Sequence, residues 1–214
     1  MKQHLLLQKA IKRVIDFHLS LFLLILFSPL FLLISLLGRY FLGKPVIFRQ
    51  VRSGLQGKPF LMYKFRTMLE KNDCNGTPLP DDQRLTPFGT FLRATSLDEL
   101  PQILNILLGD MSFVGPRPLL PEYVPLYSEF HSLRLNAPPG ILGWAQINGR
   151  NSISWEEKFN LDVWYVQNFS LLLDIEIFFK GFKTFFSQND ISFPNHVTMP
   201  KYTGSLNQLP NEKF

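Results

Sequence analysis

The amino-acid sequence predicts a mostly helical α+β protein with a membrane-associated N-terminus, a small β-hairpin and amphipathic surface helices. Three observations support this fold class: residues 17–38 contain no Asp, Glu, Lys or Arg, two short β-like stretches follow them, and much of the remaining chain has helical periodicity. The 214 residues suit one domain of ordinary size with a substantial hydrophobic core.

The apolar run over residues 17–38 is long enough to cross a bilayer, which takes about 20 apolar residues. Basic residues flank the run on both sides, and such residues prefer the cytoplasmic side of a membrane. They are Lys2, Lys9, Lys12 and Arg13 before the run, and Arg39, Lys44, Arg49, Arg52 and Lys58 after it. A helix that enters the bilayer, bends and returns keeps both flanks on one side, so the charges favour a re-entrant hairpin over a spanning helix.

Ser28 and Pro29 supply a bend near the middle of the run. Pro29 has no N–H, so the carbonyl of Ile25 loses its helical donor, and the Ser28 hydroxyl can replace that donor in lipid. Because proline is also common in helices that span membranes, a kinked spanning helix remains the alternative to the re-entrant hairpin. Residues 1–16 form a basic amphipathic lead-in, and we assign residues 1–43 to the membrane-associated segment.

Composition narrows the classes of partner. The net charge of +5, with basic residues concentrated in the first hundred positions, favours an anionic membrane surface, a phosphorylated substrate or nucleic acid. The apolar run makes the first two the better predictions. Cys74 is the single cysteine, so the chain forms no internal disulfide, in keeping with a reducing compartment.

The β-like stretches 46–51 and 60–67 are separated by turn-forming residues and predict a β-hairpin. We expect a polar surface loop at residues 69–87 and two helical segments, one from residue 88 and one after residue 96. A further helix is expected over residues 122–135, and a compact loop or short strand over residues 143–150. Residues 44–189 form the main domain in this scheme, and residues 190–214 form an irregular polar tail.

Residues 154–186 have apolar side chains at helical spacing, and Lys180 and Lys183 lie among the phenylalanines. A helix with an apolar face and a lysine-bearing face can lie in the surface of a membrane. The same spacing also fits helices that pack into a protein core. Both interpretations stay open from the sequence.

Asp98 and Glu99 are adjacent carboxylates at a predicted helix start. One interpretation is structural, because Ser96 and Glu99 have the spacing of a capping box and acidic residues suit the positive end of a helix dipole. Pro101 then places the first turn nearer Asp98, since proline fits the beginning of a helix. The other interpretation is a catalytic site, because carboxylates can bind a metal ion or act as nucleophiles.

Four basic residues accompany these acids in the sequence. Lys64 and Arg66 alternate on a β-like stretch and should point to one face, Arg93 shortly precedes the acids, and Arg117 lies in a turn stiffened by prolines. Arginine binds phosphate through two hydrogen bonds and lysine binds it as a point charge. Together with the carboxylates, they predict a site for a diphosphate and for Mg²⁺, an ion that prefers oxygen ligands.

Long motifs occur in one order along nearly the whole chain. They are KRVIDFHLSLFLLILFSP, YKFRTM, LRATSLDELPQILNILLGDMSFVGPRP, PPGILGWAQINGR and WEEKFNLDVWYVQNFSLLLDIEIF. In these motifs the chain resembles the bacterial sugar transferases, which are monotopic phosphoglycosyl transferases. The short stretch before the apolar run and the ending NHVTMPKYTG are similar to the minimal form of this family.

The resemblance implies a re-entrant membrane helix broken at Ser28 and Pro29, with the remaining domain at the cytoplasmic face of the bacterial inner membrane. It implies the transfer of a sugar 1-phosphate from a UDP-sugar to undecaprenyl phosphate, with release of UMP, as the first membrane step of glycan assembly. The similarity to the minimal form implies an N-acetylated amino sugar as the donor's sugar.

The Asp-Glu pair of the family matches Asp98 and Glu99. By this resemblance, Asp98 is the nucleophile that forms an aspartyl phospho-sugar intermediate, and it is also a ligand of Mg²⁺. Glu99 positions or deprotonates the acceptor, or orients Asp98. We expect four basic residues to bind the substrates: Lys64, Arg93, Arg117 and Arg150.

The partners implied by the resemblance are a UDP-sugar, undecaprenyl phosphate, membrane lipids and later glycosyltransferases, whereas nucleic acid is not expected. The alternative function is a membrane scaffold that recruits glycan-assembly enzymes without catalysis. The two differ in one respect that can be measured: the scaffold should tolerate loss of the Asp98 carboxylate, and the enzyme should not.

Overall fold

The structure is a computed structural model that describes residues 2–77, 79–149, 153–186 and 201–204. Helices predominate in it, and the described strands form two small sheets of two strands each. The helices are α1 Lys2–Leu26, α2 Ser28–Phe41, α3 Asp81–Arg84, α4 Pro87–Ala94, α5 Gln102–Leu108, α6 Glu129–Ser132, α7 Trp144–Asn148, α8 Trp155–Gln167 and α9 Leu171–Phe186. The strands are β1 Ile47–Ser53, β2 Pro59–Phe65, β3 Ser112–Val114 and β4 Gly140–Leu142.

The chain divides into two compact units, and each is assembled from separate stretches of sequence. The first unit comprises residues 1–14, 51–60 and 110–214, and the second comprises residues 15–50 and 61–109. The sequence-based division at residues 43 and 189 separates segments by their proposed roles, so it stays a prediction. Of the predicted irregular tail, the structure describes residues 201–204, which lie outside helices and strands.

The apolar run forms the end of α1 and the beginning of α2, and the two helices meet at a bend of 61°. The hydroxyl of Ser28 donates to the Ile25 carbonyl over 2.8 Å, which confirms the predicted partner of the carbonyl that Pro29 deprives of its helical donor. Among the described residues, no single helix has the length and apolar character of a transmembrane span, but the bent pair has them jointly.

Helix α1 buries polar residues and exposes apolar ones. Lys12, Asp16 and Ser20 follow one another at intervals of four residues, and all three are buried. Large apolar side chains on the same helix are exposed: Leu5, Leu6, Leu7, Ile11, Val14, Ile15, Phe17, Leu21, Phe22, Ile25 and Leu26. A helix on the surface of a soluble protein has the opposite pattern.

The core of the second unit contains Ile34 of α2, Phe65 of β2 and Leu92 of α4, with partly buried apolar residues around them. A buried amide then joins β2 to α5. The Asn105 side chain donates to the carbonyl of Leu61 and accepts from the N–H of Tyr63, over 2.7 and 3.0 Å. These bonds fix the position of the β2 backbone at Leu61 and at Tyr63.

Strands β1 and β2 form the predicted β-hairpin, with boundaries that differ from the predicted stretches by one or two residues. Residues 54–58 connect the strands, and so short a connection makes the pair antiparallel, because parallel strands need a crossover of about a dozen residues or more. The predicted polar loop at 69–87 contains the short helix α3.

The first unit is built around the parallel strands β3 and β4, in which Ser112 pairs with Gly140 and Val114 with Leu142. A Cβ atom at Gly140 would lie 2.1 Å from the backbone nitrogen of Gly115, so this close approach requires glycine. Buried residues of β3, α8 and α9 pack together beside the pair: Val114, Tyr165, Leu173 and Ile177.

Two sequence-based expectations in this unit are wrong. The single helix predicted over residues 122–135 is broken into a 3₁₀ turn at Pro121–Leu126, helix α6 and a second 3₁₀ turn, because Pro125 lies within the first turn and cannot donate a backbone hydrogen bond. The stretch 143–150, predicted to be a loop or short strand, contains helix α7.

The amphipathic segment 154–186 forms two helices, which supports the core-packing interpretation for its first half. Helix α8 begins with a true capping box formed by Ser154 and Glu157, and it buries Phe159 and Val163 completely. Helix α9 differs from α8, because it also exposes a group of apolar residues: Leu172, Ile175, Phe178 and Phe179.

A buried polar network joins α1 to α9 within the first unit. The ammonium of Lys12 lies 2.5 Å from Asp174 Oδ2, and the Tyr165 hydroxyl donates to Oδ1 of the same carboxylate over 2.7 Å. The backbone N–H of Leu171 also donates to the Gln8 side chain. The start of α1 is therefore attached to α9 through polar contacts rather than through apolar packing alone.

Candidate active site

Asp98 and Glu99 lie in a tight 3₁₀ turn, Leu97–Glu99, between α4 and α5. The turn follows Ser96, whose φ of 49° is left-handed and unusual for a residue with a side chain. Helix α5 begins only at Gln102, and Ser96 makes no side-chain capping bond. The structural interpretation of these acids as a capping box is therefore wrong, since Glu99 has a different partner.

That partner is Lys64, which β2 presents to the turn. Its ammonium donates to Glu99 Oε1 over 2.6 Å and lies 3.9 Å from Asp98 Oδ2. The side chains of Lys64, Asp98 and Glu99 are 19, 12 and 18 % exposed. Three residues that the sequence analysis assigned to one site are thus brought together within the second unit.

The partial burial of this cluster strengthens its electrostatics. Charges with little water around them interact more strongly than exposed ones, and their removal from water has a cost that only paired charges can offset. Lys64 contacts Glu99 directly and Asp98 at a longer distance. Lys64 thus places a positive charge beside both candidate catalytic carboxylates, in direct contact with Glu99 and 3.9 Å from Asp98 Oδ2.

Arg93 and Arg66 belong to the same unit but have different surroundings. Arg93, in the last turn of α4, donates from Nε to the Thr67 hydroxyl over 3.0 Å. Helix α4 can approach residue 67 because position 89 is glycine, where a Cβ would lie 1.8 Å from the Thr67 carbonyl oxygen. Arg66 donates to the backbone carbonyls of Leu42 and Lys44.

The expectation that Arg66 shares a face with Lys64 is therefore not met. Strand β2 ends at Phe65, and the alternation that governs a strand does not extend beyond its last residue. Arg66 consequently holds the segment that follows α2, while Lys64 faces the acids.

Arg117 lies in the first unit, with an exposed side chain. Its backbone carbonyl accepts from the buried guanidinium of Arg134, which also donates twice to Asp162 and once to the Tyr127 hydroxyl. Burial raises the pKa of Asp162, and the Arg134 charge opposes that effect. The stretch that carries Arg117 is thus fixed by a buried ion pair that the sequence analysis missed.

Lys158 was also not predicted from the sequence, and it lies within electrostatic reach of Arg117. Burial and, next, the positive charge of Arg117 lower the pKa of Lys158, whose ammonium lies 5.3 Å from the centre of the Trp155 ring. The stretch WEEK contained the only available signal, a lysine between aromatic residues in a motif of the family resemblance. Arg150, the remaining predicted binding residue, lies outside the described residues.

Asp98 and Glu99 also fit the chemistry of Mg²⁺. Among the described residues, no group of three or more His, Cys, Asp or Glu side chains could hold a metal ion, so these residues contain no complete protein cage for one. Mg²⁺ does not need one, because it is usually bound by one or two carboxylates together with substrate phosphates and water. The two adjacent carboxylates provide that kind of partial site.

A carboxylate pair held by a lysine, in a chain that begins with a bent apolar helix pair, agrees with one family of enzymes. Residues 7–188 match the profile of the bacterial sugar transferases. Because the match covers most of the chain, the protein belongs to the bacterial sugar transferase family.

Individual relatives extend this comparison. The uncharacterized sugar transferase EpsL of Bacillus subtilis is 51% identical over 195 residues, which cover 91% of this chain and 96% of the relative. The exopolysaccharide production protein ExoY of Rhizobium meliloti is 41% identical over 186 residues, 79% of this chain and 82% of the relative. The UDP-glucose:undecaprenyl-phosphate glucose-1-phosphate transferase of Escherichia coli is 40% identical over 188 residues, 81% of this chain but 40% of that longer protein.

Proposed function

We propose that this protein is a phosphoglycosyl transferase that moves a sugar 1-phosphate from a UDP-sugar to undecaprenyl phosphate and releases UMP. The observation that carries the proposal is the cluster of Lys64, Asp98 and Glu99. It combines a nucleophile and a cation in a partly buried turn. Relatives that are named for a glucose 1-phosphate transfer and a galactose phosphate transfer to undecaprenyl phosphate support the reaction class.

In the proposed mechanism, an Asp98 carboxylate oxygen attacks the sugar-bearing phosphorus of the UDP-sugar. The bond between this phosphorus and the bridging oxygen breaks, UMP leaves with that oxygen, and an aspartyl phospho-sugar remains. An oxygen of undecaprenyl phosphate then attacks the same phosphorus and restores the Asp98 carboxylate. A covalent intermediate of this kind divides one difficult displacement between two anions into two easier steps.

Lys64 makes these steps possible by compensating negative charge. Its ammonium lies beside both carboxylates, where it offsets the repulsion between them and an approaching diphosphate. Glu99 holds Lys64 in place and positions or deprotonates the acceptor. Asp98 would hold Mg²⁺, which, when bound, neutralises charge on the diphosphate. Arg93, Arg117 and Arg150 are the proposed binding groups for the remaining phosphate oxygens.

We infer that α1 and α2 enter the membrane as a re-entrant hairpin and that the protein lies at the cytoplasmic face of the bacterial inner membrane. The bend of 61° and the exposed apolar side chains of α1 support this inference, as do basic residues on both sides of the run. The acceptor's phosphate would then reach the enzyme at headgroup depth, while the UDP-sugar would arrive from water.

We propose an N-acetylated amino sugar as the donated sugar, on the basis of the resemblance to the minimal form of the family. The lipid-linked product would then be the substrate of later glycosyltransferases. UDP-glucose and UDP-galactose are the matching comparison donors, because relatives are named for glucose and galactose transfer.

The test is UMP release by the full chain in detergent, with undecaprenyl phosphate, Mg²⁺ and each of UDP-N-acetylglucosamine, UDP-N-acetylgalactosamine, UDP-glucose and UDP-galactose. We expect release with one donor and at least a thousandfold loss in Asp98→Asn, as is found when covalent nucleophiles are removed. Asp82→Asn, an exposed acid of α3, is the matched control and should retain activity. Undiminished activity in Asp98→Asn would disprove the covalent mechanism, and silence with every donor would favour the scaffold.

A further inference from the structure

A cavity of about 460 Å³ lies in the second unit, beside the segment that follows α2. Its lining combines apolar and charged side chains: Pro45, Ile47, Phe48, Arg49, Arg66 and Glu70. Its volume is within the range of small-molecule sites in proteins, about 300 to 1,000 Å³. The residues of the proposed catalytic turn, Lys64, Asp98 and Glu99, do not line it.

Arg66 provides the first sign that this cavity binds an anion. The residue is only 8 % exposed, and its two terminal nitrogens donate to backbone carbonyls of the segment after α2. Its Nε atom is buried and has no hydrogen-bond partner within the described part of the chain. A buried donor of a charged group that lacks an acceptor is costly, so an acceptor from outside the protein would stabilise it.

Glu70 provides the second sign. Its carboxylate lies 3.2 Å from the Nη1 atom of Arg66, while the Glu70 side chain is 74 % exposed. An ion pair with so exposed a partner is weak and readily exchanged. Glu70 thus places a displaceable negative charge beside the Arg66 guanidinium, and that charge would compete with an anionic ligand.

The remaining lining indicates which class of anion would bind. Arg49 lines the cavity with an exposed side chain, and its guanidinium carbon lies 5.9 Å from the centre of the Tyr63 ring. Phe48 is 44 % exposed, and Pro45 and Ile47 add apolar surface beside it. A phosphate attached to an apolar chain matches this combination better than a fully water-soluble phosphate does.

The surrounding sequence has the charge that such a ligand requires. Residues 39–70 contain seven basic residues and one acid, which is Glu70 itself. Basic clusters that follow a membrane segment attract anionic lipids. The cavity also follows directly on α2, whose apolar side chains Leu36, Leu37 and Phe41 are exposed.

We propose that Arg49 and Arg66 bind the phosphate of an anionic membrane lipid in this cavity, with Glu70 as an internal competitor. The inference rests on the proposed function insofar as that function places α2 in a bilayer. Arg66 would use its Nε donor, Arg49 would close over the opposite side of the phosphate, and Phe48 would contact the first carbons of the lipid.

The test is native mass spectrometry of the full chain in a neutral detergent, titrated with phosphatidylglycerol. Arg49→Gln should weaken binding about tenfold, as expected for the loss of one charge-assisted hydrogen bond. Glu70→Gln should strengthen binding severalfold, because it removes the competitor. Arg39→Gln is the matched control, since Arg39 is an exposed cation of α2 that does not line the cavity.

Opposite effects of Arg49→Gln and Glu70→Gln, with an unchanged control, support the site. Equal weakening in Arg49→Gln and Arg39→Gln would overturn it, because diffuse attraction to basic charge would then explain the binding. Displacement of the lipid by millimolar inorganic phosphate or UDP would overturn the preference for a lipid. Variants of Arg66 are unsuitable, because that residue also holds the backbone after α2.

A competition experiment distinguishes the two lipid sources. If added undecaprenyl phosphate displaces phosphatidylglycerol from the wild type but not from residual binding in Arg49→Gln, the cavity receives the acceptor; if it does not displace it, the cavity is a site for bulk phospholipid. Failure of UMP release with intact, Arg49-dependent lipid binding would contradict the proposed function alone. Normal UMP release without such binding would contradict the lipid site alone.

Discussion

Lys64 is the residue on which the proposed chemistry most depends after the nucleophile. Its ammonium contacts Glu99 and also lies near Asp98. The Asn105 bonds to Leu61 and Tyr63 hold the strand directly before Lys64. The ammonium therefore reaches the carboxylates from a backbone that is fixed on α5, so its position does not depend on a mobile loop.

Replacement of Lys64 by Gln should lower kcat/KM by about two to three orders of magnitude, because it removes a preorganised positive charge from the site of developing negative charge. Steady-state UMP release measures this effect. Lys58→Gln, at an exposed position before β2, makes the same change of charge and should retain near-normal activity. An unaltered kcat/KM in Lys64→Gln would show that the lysine has no role in the mechanism.

For single residues, the sequence predicts which residue types belong to the site better than it predicts what their side chains contact. Asp98, Glu99 and Lys64 were selected correctly as neighbours, because adjacent acids and a strand lysine suggest a charged site. Arg66 contacts backbone carbonyls rather than the acids, which the sequence does not predict, since the end of β2 cannot be located to one residue from propensity. Arg134 and Asp162 were missed because a buried pair separated by 28 residues leaves no local pattern.

Individual elements of the fold depend on a few buried or capping interactions. Arg134 joins the 3₁₀ turn at Leu133–Asn136 to α8 through Asp162, and it also holds the carbonyl of Arg117. The bend between α1 and α2 was predictable because its cause, proline and the adjacent serine, is local. The parallel pair β3 and β4 was not, because strands of three residues are too short for an alternating pattern.

The Asp162→Asn variant should lower the free energy of unfolding by about 3 to 5 kcal/mol, because it leaves the Arg134 charge buried and without its carboxylate. Chemical denaturation in detergent, followed by tryptophan fluorescence, measures the loss. The double variant Arg134→Met with Asp162→Leu should recover much of the stability, since it removes both charges. Equal losses in the single and double variants would show that the ion pair is not the source of the effect.

The capping box of α8 gives a prediction about pH. Hydrogen bonds from the Ser154 backbone N–H and hydroxyl lower the pKa of Glu157. Because the folded pKa lies below the ordinary value of 4.5, the carboxylate contributes stability above that pH, and the contribution is lost as the pH falls through the folded pKa. The Tm of Glu157→Gln should thus be lower than that of the wild type at pH 7, with the difference vanishing in acid.

Thermal unfolding across this pH range tests the expectation. Glu156→Gln is the control, because Glu156 is an equally exposed neighbour in the first turn of α8 without the bond to Ser154 that defines the box. A Tm difference for Glu157→Gln that stays constant from pH 7 to pH 3 would contradict the assigned role of the carboxylate.

In the whole molecule, stretches that are far apart in the sequence belong to the same compact unit. Each unit uses separate stretches of the chain, and α1, β1 and β2 each contribute residues to both units. Periodicity and turn residues report on neighbours in sequence, so they could predict the helical N-terminus and the hairpin but not this division. The family resemblance supplied the proposed membrane orientation, which local patterns left open between a hairpin and a kinked span.

Replacement of Pro29 by Ala should shift part of the population from the proposed re-entrant hairpin to a spanning helix, because it restores a backbone donor at the bend. A cysteine introduced by Gln3→Cys, in a Cys74→Ser background, can be labelled with an impermeant maleimide in intact cells. Labelling from outside should increase in Pro29→Ala, and increase further when Asp174→Asn releases Lys12.

Pro87→Ala in α4 is the control and should leave the labelling unchanged, because Pro87 begins a helix of the second unit outside the apolar run. A cysteine at position 3 that stays protected in both the Pro29→Ala variant and the variant that adds Asp174→Asn would show that Pro29 does not set the topology.

The contact between Lys12 and Asp174 has a consequence for biosynthesis. The two residues are separated by 162 positions, which a ribosome adding about 5 to 20 residues per second covers in roughly 10 to 30 s. Throughout that interval the nascent chain has helix α1 but not the Asp174 carboxylate that pairs with Lys12. A message cut short before codon 174 would yield a protein in which Lys12 lacks this partner.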